Sequence, residues 1–299
     1  VDAEVYDGVG EVPTGVIPGS AANAEEVLLL AHLTEPGAND NASGCAALLE
    51  AARCLCRLIS EGVLPPPKRN IRLVFVYEFY GTASYLANNP ERVARTVAAL
   101  NIDTVGGDER QCGGTLFVLR THPAAPTFSN DLLEAILEAL VAEYSDRIGI
   151  VPGPMALFRW GVAAGAGGDS RTLNEWGLPA PMVTQWPDKF YHTSADTPDK
   201  IDPMMLARAS MLVATFAYFV AQAGAREALW LAHEITARAK RRIIAQAQEA
   251  ITKRLSAWGK TTGQDESSGA ESLEALAARE ADALRSVERL IDNAGVCKA

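Results

Sequence analysis

The chain has 299 residues, 48% of them hydrophobic, with 27 Lys and Arg against 37 Asp and Glu and a net charge of −10. That length admits one sizeable α/β domain with an appendage, or two modest domains. The acidic balance argues against nucleic acid as a partner, because no broad basic surface is available, and it is compatible with a cationic ligand such as a peptide's free amine.

Residues 1–20 are rich in Val, Gly and Pro and read as short strands and turns. "EEVLLLAHL" (25–33) reads as a buried strand and 43–60 as a helix, with Asp40 or Asn41 placed to cap it. "PPPKRN" breaks the chain before a second strand, "IRLVFVYE" (71–78), and a helix around 82–98 leads to a third, "AALNIDTVG" (98–106). A strand near 115–120 precedes an amphipathic helix over 129–145, with Ser129 or Asn130 as its N-cap. "APMVTQW" (180–186) is a further short strand, and the chain from about 203 onward is almost wholly helical. Alternating strands and helices imply a mostly parallel sheet covered on both faces. Residues 1–222 read as one α/β domain and 223–299 as a helical extension, with a polar linker at about 260–272. "KRR" (240–242) reads as a solvated helix face.

The five cysteines (Cys45, Cys54, Cys56, Cys112, Cys297) are irregularly spaced and read as mainly buried thiols of a reducing compartment. No signal peptide is evident, so a cytoplasmic location is expected over secretion, although a start at Val1 leaves export undecided. "MLVATFAYFVA" (211–221) is short for a membrane span and reads as a buried helix.

Ligands of open α/β sheets bind beyond the carboxyl ends of the strands. His32 ends the first strand and Asp40 follows in its loop. Glu78 closes the second strand, Asp103 ends the third, and His192 follows the strand at 180–186. Imidazole and carboxylate are the ligands of catalytic zinc, and a carboxylate outside that shell can serve as a general base. Each residue also has a structural reading: an aspartate before a helix is commonly a cap, and "PGAND" is good turn chemistry. Glu78 is the hardest to explain so, because an ionisable group ending "RLVFVYE" must be paired or functional. "AHEITARA" (232–239) opens like a zinc helix, but Ala237 stands where the second histidine is required. His122 reads as a surface residue, and the glycines Gly165, Gly167 and Gly168 lack the Lys-Ser/Thr of a phosphate loop.

The blocks "AHL…PGANDNASGCAALLEAAR", "VYEFYGTASYL", "NIDTVG", "GGDS" and "WPDKFYHTSADTPDKIDP" together resemble the zinc aminopeptidase family. That family holds the bacterial leucyl aminopeptidases, glutamate carboxypeptidase II and the inactive transferrin receptor. The resemblance covers residues 25–220 and implies a three-layer α/β/α sandwich around a mixed sheet of about eight strands. It makes Asp40 the carboxylate bridging two metals, completes one position with His32 and Asp103, and assigns His192 to the other. It implies Glu78 as general base. Asp169 would help to hold the substrate's α-ammonium, and Tyr191 or Tyr80 would support the oxyanion.

Two departures stand out. The family's adjacent glutamates are here Glu78-Phe79, and its His-x-Asp is His32-Leu33-Thr34, which removes the carboxylate that orients the histidine. The interval from His32 to Asp40 is also short. The sequence looks closest to a single-glutamate branch of the family. One tightly held zinc is expected, with the second weak, absent or completed by a further residue. The implied activity is removal of an N-terminal residue from peptides with a free N-terminus. No nucleic-acid or membrane partner is expected, and the C-terminal helices, outside the resemblance, read as an assembly module for a homodimer. The alternatives are a catalytically impaired binding or scaffold protein, favoured by Phe79, and a glutaminyl-cyclase-like or amidohydrolase zinc chemistry.

Overall fold

The computed structural model describes residues 8–21, 25–147, 159–165, 167–258 and 272–291. The linker expected at 260–272 lies, except for Ser272, outside the described residues, as does Cys297. The strands are β1 (Thr14–Ile17), β2 (Glu26–His32), β3 (Asn70–Val76), β4 (Thr96–Ile102), β5 (Thr115–Arg120), β6 (Trp160–Ala164) and β7 (Met182–Trp186). The helices are α1 (Ala42–Ser60), α2 (Tyr80–Asn88), α3 (Pro90–Arg95), α4 (Glu109–Cys112), α5 (Phe128–Arg147), α6 (Gly168–Glu175), α7 (Pro203–Gln222), α8 (Ala225–Ala257) and α9 (Leu273–Arg285).

Among the described residues one sheet of seven strands runs in the order β1-β3-β2-β4-β7-β5-β6. Its centre, β3-β2-β4-β7, is parallel, β1 and β5 pair antiparallel to their neighbours β3 and β7, and β6 runs parallel to β5. Central parallel strands are covered on both faces and so are apolar throughout, and every residue of β2 is buried. The two-residue period divides them. Val27, Leu29 and Ala31 join one core cluster with α1, α5 and α7, whereas Leu28 and Leu30 join another with Tyr85 and Leu86 of α2 and Leu173 of α6. Each such side chain contributes about 1.5–3 kcal/mol by leaving water. The outcome is the expected three-layer α/β/α sandwich.

Several local expectations shift. The helix expected over 82–98 breaks at Asn89, because Pro90 opens α3, and β4 already begins at Thr96. Asn130 does not cap α5. Its Oδ1 accepts from Thr121 N at 3.0 Å and its Nδ2 donates to Thr121 Oγ1 at 2.9 Å, while Thr127 Oγ1 accepts from Ser129 N. Strand β6, WGVAA, is not among the strands expected from the sequence. Helix α7 is longer than its apolar stretch and, at 20 residues and mean hydropathy 1.6, is long and apolar enough to cross a membrane. It lies against α1, with Leu212, Phe216 and Val220 in the main core.

Of "KRR", Lys240 and Arg241 are exposed, but Arg242 is not on a solvated face. It donates to Asp131 Oδ1 at 2.7 Å and to Glu280 Oε1 at 2.9 Å, and both carboxylates are buried. Cys45 and Cys112 are buried thiols, whereas Cys54 is half-buried and Cys56 exposed, and these four are free.

Candidate metal centre

His32 is the last residue of β2, on the same face as Leu28 and Leu30. Cys45 Sγ donates to its carbonyl at 3.2 Å. The loop beyond it is tied down at both ends. Leu33 N donates to Val76 O at 2.8 Å, and Ala38 N donates to Asp196 O at 3.1 Å. Asn39 N and Asp40 N donate to Asp196 Oδ1 and Oδ2 at 2.8 and 2.9 Å. Gly37 is required here, since a Cβ would stand 2.2 Å from Asp196 Oδ2. Asn41 caps α1, accepting from Gly44 N at 3.1 Å, and its Oδ1 also takes Thr104 N at 3.0 Å. Capping is thus assigned to Asn41, and the Asp40 side chain is left to the site.

The other strand ends supply the rest. Glu78 follows β3, Asp103 follows β4, and His192 lies in the loop after β7. Among the described residues, three non-glycine residues have positive φ, namely Phe79 (56°), Thr104 (56°) and His192 (54°). Each is, or adjoins, one of these residues, and each such conformation costs on the order of 1–3 kcal/mol, as is common at functional sites.

Asp40 stands between the two histidines. Its Oδ1 lies 3.3 Å from His32 Nε2 and its Oδ2 lies 3.2 Å from His192 Nε2. His32, Asp40 and Asp103 each offer a ligand atom, all within 4.8 Å of one another, and all are buried. Glu35, Asp40 and His192 form a second such group, and His32, Glu35 and Glu78 a third. Glu35 was not among the residues singled out from sequence. The signals that pointed to it were its position three residues after His32 and the missing partner at Phe79. Its Oε2 lies 2.8 Å from His32 Nε2 and its Oε1 lies 3.2 Å from His192 Nε2.

Asp169, at the start of α6, is fully buried. Its Oδ1 accepts from Phe79 N at 2.8 Å and Thr82 Oγ1 at 2.6 Å, and its Oδ2 faces His32 Nδ1 at 3.6 Å. It stands behind the histidine, where a substrate does not reach. Tyr191 stacks on His192 with centroids 3.8 Å apart. Tyr80 is 87% exposed, and among the described residues no hydrogen bond or ion pair joins its side chain to the cluster. His122 and His233 are exposed.

Carboxylates outnumber imidazoles here. Burial opposes charge on His32, yet hydrogen bonding to Asp169 and Asp40 and the charge of Asp103 push its pKa up to about 12. Burial raises Asp103 to about 7, against the pull of His32 and with a push from Asp40. Burial also raises Glu78, and the neighbouring carboxylates of Asp169, Glu35 and Asp40 add to it. Tyr191 is pushed to about 12, first by burial and then by Asp40 and Asp103.

The donor set fits zinc. Imidazole nitrogen and carboxylate oxygen at about 2.0–2.2 Å from an ion stand roughly 3.4 Å apart in tetrahedral geometry, close to the 3.3 and 3.2 Å spacings of Asp40 with the two histidines. Asp40 Oδ2 is also buried without a hydrogen-bond donor, and an unsatisfied buried acceptor costs about 1–3 kcal/mol unless something satisfies it. Beside Glu78 and Asp103 opens a cleft of about 400 Å³, walled by Phe117, Leu119, Met182, Trp186 and Tyr191.

The profile of peptidase family M28 matches residues 14–217. Solved structures of similar fold include BSAP, a zinc aminopeptidase from Bacillus subtilis, at 22% identity and TM-score 0.51, covering 69% of this chain and 48% of that one. An aminopeptidase from Aneurinibacillus sp. strain AM-1 has 23% identity and TM-score 0.50, with 70% and 47% covered. The LapA aminopeptidase of Legionella pneumophila has 20% identity and TM-score 0.50, with 71% and 59% covered. At these identities the likeness is one of fold, and the chain spans about half the length of these structures. No curated protein matches the chain.

Proposed function

The chain belongs to peptidase family M28, and from that premise we propose that it is a zinc-dependent aminopeptidase that removes the N-terminal residue of a peptide. The observation that carries the reading is the convergence of His32, Asp40 and Asp103 within ligand distance of one another, with Glu78 on the wall of the adjoining cleft. His32 Nε2, an Asp40 oxygen and an Asp103 oxygen would hold the ion. When bound, zinc supplies Lewis acidity toward the scissile carbonyl and a water acidified to a pKa of about 7.

The chain's own residues do the remaining work. Glu78, with its pKa raised by burial, accepts the water proton on its carboxylate and returns it to the leaving amine, as a base poised nearer neutrality does best. Tyr191, with its pKa pushed to about 12, keeps its phenolic proton and can donate it in a hydrogen bond to the developing oxyanion. It suits this task better than the exposed Tyr80. Two groups flank His32 Nδ1 and hold the ring: Asn41 Nδ2 at 3.3 Å and the Asp169 carboxylate at 3.6 Å, whose charge favours a proton on Nδ1 once Nε2 is committed to an ion. The walls of the cleft of about 400 Å³ favour an apolar side chain. The negative site potential favours the substrate's α-ammonium.

The test is turnover by zinc-loaded protein on matched peptides with free and acetylated N-termini. Cleavage of free N-termini alone is expected, and Glu78→Gln should lower kcat by about 10²–10⁴-fold with the zinc content unchanged. Equal cleavage of acetylated peptides would refute the aminopeptidase reading. Conversion of N-terminal Gln without peptide cleavage would indicate cyclisation, and bound zinc without turnover would favour a binding protein, the reading to which Phe79 lends weight.

A further inference from the structure

We propose that Glu35 is a protein ligand of a second metal position, acting with Asp40 and His192 in the role that Phe79 cannot fill. The proposal rests on the zinc-peptidase reading above and adds a residue to it. Three observations carry it. First, Glu35 and Asp40 are disposed alike: each turns one carboxylate oxygen to His32 Nε2, at 2.8 and 3.3 Å, and the other to His192 Nε2, at 3.2 Å in both cases. Two carboxylates and two imidazoles arranged so can flank two cations, one on the His32 side with Asp103 and one on the His192 side.

Second, Asp40 is 3% exposed and its Oδ2, the oxygen on the His192 side, has no hydrogen-bond donor. A buried carboxylate oxygen needs a donor or a cation, and the ligand atoms of Glu35, Asp40 and His192 lie within 4.8 Å of one another around it.

Third, the loop presents Glu35 as a fixed group. Leu33 N is bonded to β3 and the amides of Ala38, Asn39 and Asp40 to Asp196, so the intervening residues are held from both sides. Pro36 restricts the backbone of Glu35 to extended conformations. The short interval between His32 and Asp40 therefore brings a carboxylate across the site from the β2 side. Phe79, on the β3 side, is 43% exposed, and its backbone makes the hydrogen bonds, the N–H to Asp169 and the carbonyl to Ala83 N.

Metal content reads this without reference to activity. The full chain, stripped with a chelator and dialysed against zinc, is expected to hold two ions. Glu35→Gln and His192→Ala should each hold one, and the double variant should still hold one, because both changes remove the same ion. Glu35→Gln keeps the length of a partly exposed side chain, and matched melting curves of the metal-free proteins verify the fold. Two ions in Glu35→Gln, or saturation of the unmodified chain at one, would overturn the proposal while leaving the peptidase reading standing. No ion in the unmodified chain would overturn both.

Discussion

Asp169 shows how a residue's neighbours decide its task. The sequence places it among "GGDS", where the family resemblance implies a substrate-holding acid, yet the carboxylate is fully buried behind His32. Its Oδ1 holds the Phe79 amide and the Thr82 hydroxyl, while its Oδ2 faces the far side of the imidazole at 3.6 Å. A carboxylate from α6 thereby faces the imidazole that lacks one at Thr34. Replacing Asp169 by Asn keeps the volume and removes the charge that stabilises the Nδ1 proton. Zinc affinity should fall by about 10–100-fold, the usual cost of losing such an orienting group, as read by competition with a chromogenic chelator. Unchanged affinity would mean that Asp169 only fixes the Phe79 turn.

Helices α5, α8 and α9 are joined by charged pairs as well as by apolar contact. Arg242 of α8 reaches Asp131 of α5 and Glu280 of α9, and Arg238 reaches Glu138 at 3.0 Å. Arg242 is itself partly exposed, and Asp131 and Glu280 keep second, longer contacts to Arg120 and Arg279. Arg242→Met should therefore destabilise by about 1–3 kcal/mol, whereas Arg241→Met, one residue away on the exposed face, should stay within about 0.5 kcal/mol. Urea unfolding of the two variants provides the comparison, and equal midpoints would show that the Arg242 cluster is energetically idle. The sequence reading of "KRR" as a solvated face was right for its first two residues. It failed for the third because periodicity gives the face of a helix and not what packs on it.

In the whole molecule, the C-terminal chain shares the core of the peptidase sheet. Leu231 and Ile235 of α8, and Val287 and Leu290 of the 3₁₀ turn Ser286–Leu290, lie in the same apolar cluster as β2 and β4. Arg69 Nη2 donates to Leu290 O at 3.2 Å, and Arg289 Nη2 donates to Thr96 O at 2.7 Å. Leu290→Ala, at a fully buried position, should cost about 2–5 kcal/mol. It should lower one cooperative thermal transition of the whole chain. A separate early transition, with the rest melting unchanged, would show instead that the C-terminal helices fold on their own. A homodimer through these helices remains the arrangement we propose for their exposed surfaces.

The sequence by itself determined the sandwich, its parallel centre, the family and the chemical types gathered at the strand ends. The parallel centre and the gathering of ligand types follow from local periodicity, which assigns strand and helix residue by residue, and from the topological rule that puts ligand-bearing loops at one sheet edge. The three-layer sandwich and the family follow from the resemblance of the sequence blocks. It assigned His32, Asp40, Glu78, Asp103 and His192 to that edge before any coordinates. Tertiary structure alone decided that Glu35 faces both histidines, that Asp169 stands behind the site, that Arg242 pairs with buried carboxylates and that Leu290 is core. The reason is range. Asp40 is held by Asp196, 156 residues away, and Phe79 by Asp169, 90 residues away. A pattern read over a few turns of chain carries no information about which distant group will satisfy a buried charge.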